Sequence, residues 1–158
     1  MAWVFYKNFK LGQLDSAIHA EYPVDFDTGV IGILLLDAGS TIDQTDIDVQ
    51  DVIAGASDSE VTGTNYARKD ITGIDVVLSG NNADVGTAMS SPSYAVHASG
   101  FNDAKHAILY RTDGTTAIAS GVDASSPLIA YNTFTSNLNN TSGSLTLQFS
   151  SSNIFTLS

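Results

Sequence analysis

The apolar residues of this chain come in short bursts, each closed by glycine, asparagine, aspartate or serine. The clearest burst is "VIGILLL" at 30–36, between Gly29 and "DAGS". Its length and branched residues predict a strand buried on both faces. Further strands are predicted at 60–71, 74–79, 94–98, 106–112, 128–134, 144–149 and 154–157. The links "SGNNADVG", "SGFNDAK", "TDGTTAIASGVDASSP" and "TSNLNNTSG" are rich in turn-forming residues. In "LTLQFS" the alternation is clean: Leu145, Leu147 and Phe149 fall on one face, and Thr146, Gln148 and Ser150 on the other. One face packs and the other is wet. The closing "NIFTLS" is expected to fold back on that strand through "SSN" as a terminal hairpin. This pattern predicts a mainly β fold, an antiparallel β-sandwich or barrel-like domain.

Two segments read differently. Residues 1–20 concentrate Trp3, Phe5, Tyr6, Phe9, Leu11 and Leu14 around Lys7 and Lys10. Imperfect helical spacing, with Phe5 and Phe9 at i, i+4, predicts a short N-terminal helix or arm over about 3–18. Such a segment either packs on the domain's own core or docks on a neighbour. The remainder, 21–158, reads as one β-rich domain. A second short helix is predicted near 43–54, capped by Thr41 or Asp43, with Val49, Val52 and Ile53 facing inward.

The stretch "SEVTGTNYARKDI" at 59–71 has mild residues on both faces and a glycine inside a strand pattern. Gly63 there implies a bulge or a close backbone approach. The stretch suits an edge or interface strand. Arg68 and Lys69 form a positive spot on it, able to pair with Asp70 or Asp75 or to meet an acidic partner.

At 158 residues the chain suffices for one domain and needs no staple to fold. It has no cysteine, which removes thiolate metal sites, disulfides and cysteine nucleophiles. The net charge is −11, and the acids are fifteen Asp against two Glu, a composition that favours turns. Six Lys and Arg are too few and scattered to neutralise a phosphate backbone, so no nucleic-acid partner is expected. The longest apolar run falls far short of the roughly 20 residues that span a bilayer. Neither a membrane partner nor a signal peptide is expected.

Candidate chemistry is sparse. His19, His97 and His106 titrate near neutrality, and the last two are placed near neighbouring strands, but no motif ties them to a nucleophile. Asp43, Asp46, Asp48 and Asp51 offer oxygen ligands, yet the calcium-loop pattern fails at its glycine. Capping and a solvated acidic face account for them, and Asp25 and Asp27 read the same way. Tyr66, Tyr94, Tyr110 and Tyr131 are candidates for a sugar platform, although strand aromatics more often pack inward. No metal site, cofactor or catalytic residue is predicted, and no enzyme activity.

Three segments in order resemble a family of small tailed-phage virion structural proteins. "SEVTGTNYARKDI" is similar to that family's E-V-(S/T)-G-T-x-Y stretch. "AKHAILYRTDGT" followed by "SPLIAYNTF" resembles its strand pair, and "SGSLTLQFSSSNIFTLS" its closing segment; "YKNFKLGQLD" before "IGILLLDAG" is also similar. The chain departs from the family in the longer link between Arg111 and Pro127 and in residues 80–93, which lack a tryptophan-containing stretch. The resemblance implies a capsid decoration (cement) protein on the outer surface of the phage head, made in the bacterial cytoplasm. Its partner would be the major capsid protein, and it would itself form a homo-oligomer, a trimer where it sits on threefold sites. On this reading Trp3, Phe5, Tyr6 and Phe9 are the capsid anchors, joined by Tyr66, Arg68 and Lys69. The alternatives are a tail component of the virion, or a carbohydrate- or receptor-binding β-sandwich.

Overall fold

A computed structural model describes residues 3–14, 26, 30–54, 58–72, 76–79, 82–85, 89–112, 126–149 and 155–157. Their order is β1 (Val4–Phe5), α1 (Lys7–Gly12), β2 (Ile31–Asp37), α2 (Val49–Ala54), β3 (Lys69–Ile71), β4 (Val76–Ser79), β5 (Asn82–Val85), β6 (Ser93–Tyr94), β7 (Ala104–Arg111), β8 (Leu128–Leu138), β9 (Leu145–Thr146) and β10 (Phe155–Leu157). The protein is mainly β, as the pattern predicts. Its main sheet has the order β1-β8-β7-β2-β3, a second has β10-β5-β4, and a third pairs β6 with β9. Every pairing is antiparallel.

The main sheet is built around β2, whose first six residues are all buried. Cross-strand register sorts its side chains. Ile33, Leu109 and Ala130 line up on one face; Leu34, Ile108 and Tyr131 line up on the other. Both faces are thus covered, which is why 30–36 carries a continuous apolar run with no polar alternation. Gly32 interrupts it for a packing reason: a Cβ there would lie 2.5 Å from Cζ of Tyr110, its cross-strand partner. The sheet ends at β1 and β3 and does not close, so the barrel alternative is excluded. The small β6–β9 sheet touches the β3 edge, and the segment that follows β9 reaches the residue that precedes β1. The Lys69 ammonium sits 5.6 Å from the Tyr94 ring centre, and Trp3 stacks on Phe149 at 5.8 Å.

Several local expectations are corrected. The N-terminal segment starts as a strand: β1 pairs with β8, and the helix is only Lys7–Gly12. A sheet ladder satisfies residues 4–5, and helix begins only beyond it. The second helix is Val49–Ala54, and its cap is neither Thr41 nor Asp43. Asp48 accepts a bond from the Asp51 amide at 3.0 Å, while Asp51 accepts one from the Ile47 amide at 3.0 Å. Val49 and Val52 face inward as expected, and Ile53 is half-buried. Of 60–71, only Lys69–Ile71 is continuous strand. The "NADV" part of an expected turn, Asn82–Val85, is strand β5. The terminal hairpin does not form: β9 pairs with β6, and β10 with β5. The alternation of 145–149 nevertheless holds, with Leu147 buried and Thr146 and Gln148 exposed.

Candidate functional site

The 59–71 stretch runs along the β2 edge twice. Glu60 bridges Leu36 and the Val61 amide bonds the Leu35 carbonyl; later, Lys69 and Ile71 pair with Ile33 and Ile31. Between these pairings eight residues of this stretch, 61–68, run against two of β2, Leu34 and Leu35, and the surplus loops outward at 62–67. The loop is closed at its base by charge. Arg68 grips the Glu60 carboxylate through Nε at 3.0 Å and Nη2 at 2.8 Å. Tyr66 Oη donates to Glu60 at 2.6 Å and accepts from the Leu35 amide at 3.1 Å. Burial, then the Glu60 charge, pushes the Tyr66 phenol far above its ordinary value, so it stays a donor.

The tip of the loop is pinned as well. Asn65 adopts φ 64°, a conformation that asparagine tolerates. Gly63 presses against the 100–101 backbone so closely that a Cβ would lie 2.6 Å from the Phe101 nitrogen. The close approach expected of this glycine is therefore real. The Thr64 amide bonds the Ser99 carbonyl at 2.9 Å. Beneath them Asn140, wholly buried, donates its amide to the carbonyls of Ala95 (2.9 Å) and Thr64 (3.3 Å). Its backbone bonds His97 and Phe101. Segments 62–65 and 95–99 are thereby fused into one exposed surface, with Val96, 48% exposed, among Thr62, Thr64, Asn65 and Ser99.

The anchors expected at the N-terminus are spent internally. Tyr6 and Phe9 are 0% and 2% exposed and belong to the core, so they offer nothing to a partner. Tyr6 meets Tyr131 edge-on at 5.4 Å, and Phe9 stacks on Phe5 at 5.3 Å and meets Phe26 at 6.1 Å. Trp3 and Phe5 are half-buried. Tyr66 stacks on Tyr94 at 5.8 Å. Arg68 takes Glu60, not Asp70, because Glu60 is brought opposite it across the loop base. Among the described residues the exposed large apolar side chains are others: Val4, Leu11, Leu14 and Val96. Their signal is helical, since Lys7, Lys10, Leu11 and Leu14 share the face opposite Phe9.

Among the described residues none of the other candidates assembles a reactive site. His97 is exposed and accepts from the Ser99 amide through Nδ1, whereas His106 is buried against Thr133. Burial lowers the His106 pKa, and so keeps the ring neutral. His19, Asp25 and Asp27 lie outside the described residues. Tyr94 and Tyr110 are buried, and Tyr66 and Tyr131 half-buried, so these rings form no stacking platform. The Asp43 carboxylate accepts the Thr45 amide and hydroxyl, which lower its pKa ahead of a smaller effect of Lys7. A groove of about 650 Å³ is lined by Asp37, Asp58, Glu60 and Asp103, yet three of these carboxylates are bonded within the protein. Among the described residues no three His, Cys, Asp or Glu are grouped to hold a metal. Nor is any described helix long and apolar enough to cross a membrane.

No family model matches the chain, and no curated protein and no solved structure gives a match.

Proposed function

We propose that the protein is a structural component of a phage particle, a decoration protein that binds the assembled head and transforms no substrate. One observation carries the reading. The motif most like the virion family, Glu60 to Tyr66, is spent on building an outward-facing, locked loop. Glu60 and Tyr66 clamp its base, Gly63 permits the backbone contact, and Asn65 supplies the turn. A loop already ordered loses little freedom on docking, so more of its contact energy appears as affinity. The surface that the loop makes with 95–99 suits the purpose: an exposed Val96 beside polar Thr64, Asn65 and Ser99. Binding only the assembled lattice stabilises that lattice by mass action.

The test is co-sedimentation of the full chain with undecorated heads. The native protein is expected to pellet with them, and Val96→Asp, a change at an exposed site, to stay in the supernatant with an unchanged melting curve. Failure of the native protein to pellet with heads rejects the decoration role; electron microscopy showing it on the tail instead retains the virion reading and moves its address.

A further inference from the structure

The outer face of α1 stands apart from the rest of the molecule. Lys7, Lys10 and Leu11 on α1 and Leu14, in the turn just beyond its end, are all exposed, Leu11 by 53% and Leu14 by 90%. Val4, 41% exposed, lies just before them in β1. Neither lysine forms an ion pair with a described carboxylate, although Asp43 of the same chain feels the Lys7 charge. Directly beside this face runs the acidic segment 43–51. The Lys7 amide bonds the Gln44 carbonyl at 3.0 Å, and the Asn8 side chain donates to the Thr45 carbonyl. Asp43, Asp46, Asp48 and Asp51 are crowded there: burial, then Asp43, Asp51, Asp58 and Asp48, pushes the half-buried Asp46 up to about 6.

A positive, leucine-edged stripe and a negative loop are thus adjacent on one patch. We propose that this patch is the contact between two copies of the chain, the Lys7–Leu14 stripe of each lying on the 43–51 loop of the other. A twofold axis running between the stripe and the 43–51 loop sets each stripe over the loop of the other copy, which is the self-complementarity an isologous contact requires. The charge of the whole chain favours this orientation. With a net charge of −11 two copies repel at long range, so a contact that sets lysines against aspartates offsets that repulsion. A stable contact needs roughly 1,000 Å² in total, so helix and loop must both take part. The contact does not depend on a phage head being the partner.

Sedimentation of the full chain over a wide concentration range tests it. The native protein is expected to dimerise. Lys10→Glu, Leu14→Asp and Asp43→Lys are each expected to weaken the dimer at least about tenfold, with folding monitored by circular dichroism. Leu11→Ser provides a milder second variant of the seam. Lys10→Glu mixed with Asp43→Lys is expected to re-associate, because each restores the charge the other lost. A native monomer at every concentration, a dimer indifferent to these changes, or a mixture that stays monomeric overturns the proposal. A monomer that still pellets with heads would refute this contact alone; a dimer that ignores heads would refute the decoration role alone.

Discussion

Replacing Phe9 by alanine separates an N-terminal segment that belongs to the fold from one that merely hangs on it. Phe9 is 2% exposed, stacks on Phe5 at 5.3 Å and meets Phe26 edge-on at 6.1 Å. Losing a buried phenylalanine to alanine costs about 3–5 kcal/mol in transfer and cavity terms together. Domains are stable by only about 5–15 kcal/mol, so this is a large share. At this chain length each kcal/mol moves the melting temperature by about 2–4 °C, which predicts a fall of about 6–20 °C. Urea unfolding followed by the emission of Trp3, itself stacked on Phe149, reads the loss directly. Leu14→Ala, at a site 90% exposed, is the control and is expected to stay within about 0.5 kcal/mol. A Phe9→Ala loss below about 1 kcal/mol would refute the reasoning, since a core position cannot be that cheap to empty. Deletion of 1–12 removes Tyr6 and Phe9 together, so it is expected to unfold the domain and not to yield a folded protein that has lost a partner.

Three further outcomes follow from the same geometry. The folded-state pKa of Asp46 is raised to about 6, above the ordinary 3.8, so the folded form holds more protons between those values. Its unfavourable contribution is full above about pH 6 and fades as pH falls towards 4; Asp46→Asn is therefore expected to stabilise at pH 7 by no more than about 1 kcal/mol, after allowing for solvent screening, with the gain gone near pH 4 in urea midpoints. Gly63→Ala forces a methyl against the 100–101 backbone and is expected to cost about 1–3 kcal/mol, with faster amide exchange at Thr64. Asn140→Ala strips the side-chain donor from the Ala95 and Thr64 carbonyls and is expected to cost about 1–3 kcal/mol and to loosen 62–65 and 95–99 together in hydrogen exchange.

Local chemistry made much of the fold legible. The unbroken apolar run at 30–36 could only be a strand covered on both sides, and the 145–149 alternation follows from a strand with one wet face. The aspartates of 43–51 read as caps and turns because a short acid side chain reaches its own backbone, and Asp43, Asp48 and Asp51 do so. Gly63 announced a close approach, though not the backbone that makes it.

What the order of residues determined by itself was the β class, the central strand and the absence of cysteine chemistry. Those follow from side-chain type and period, which are local. Tertiary structure decided which strand pairs with which, sending β10 to β5 and β9 to β6 although their segments are neighbours in sequence. It also decided which apolar residues face solvent: Tyr6 and Phe9 were drawn into the core while Leu11 and Leu14 were left outside. Both outcomes are set by contacts between residues far apart along the chain. The free energy of burying a ring depends on what arrives to cover it, and no window of sequence contains that information.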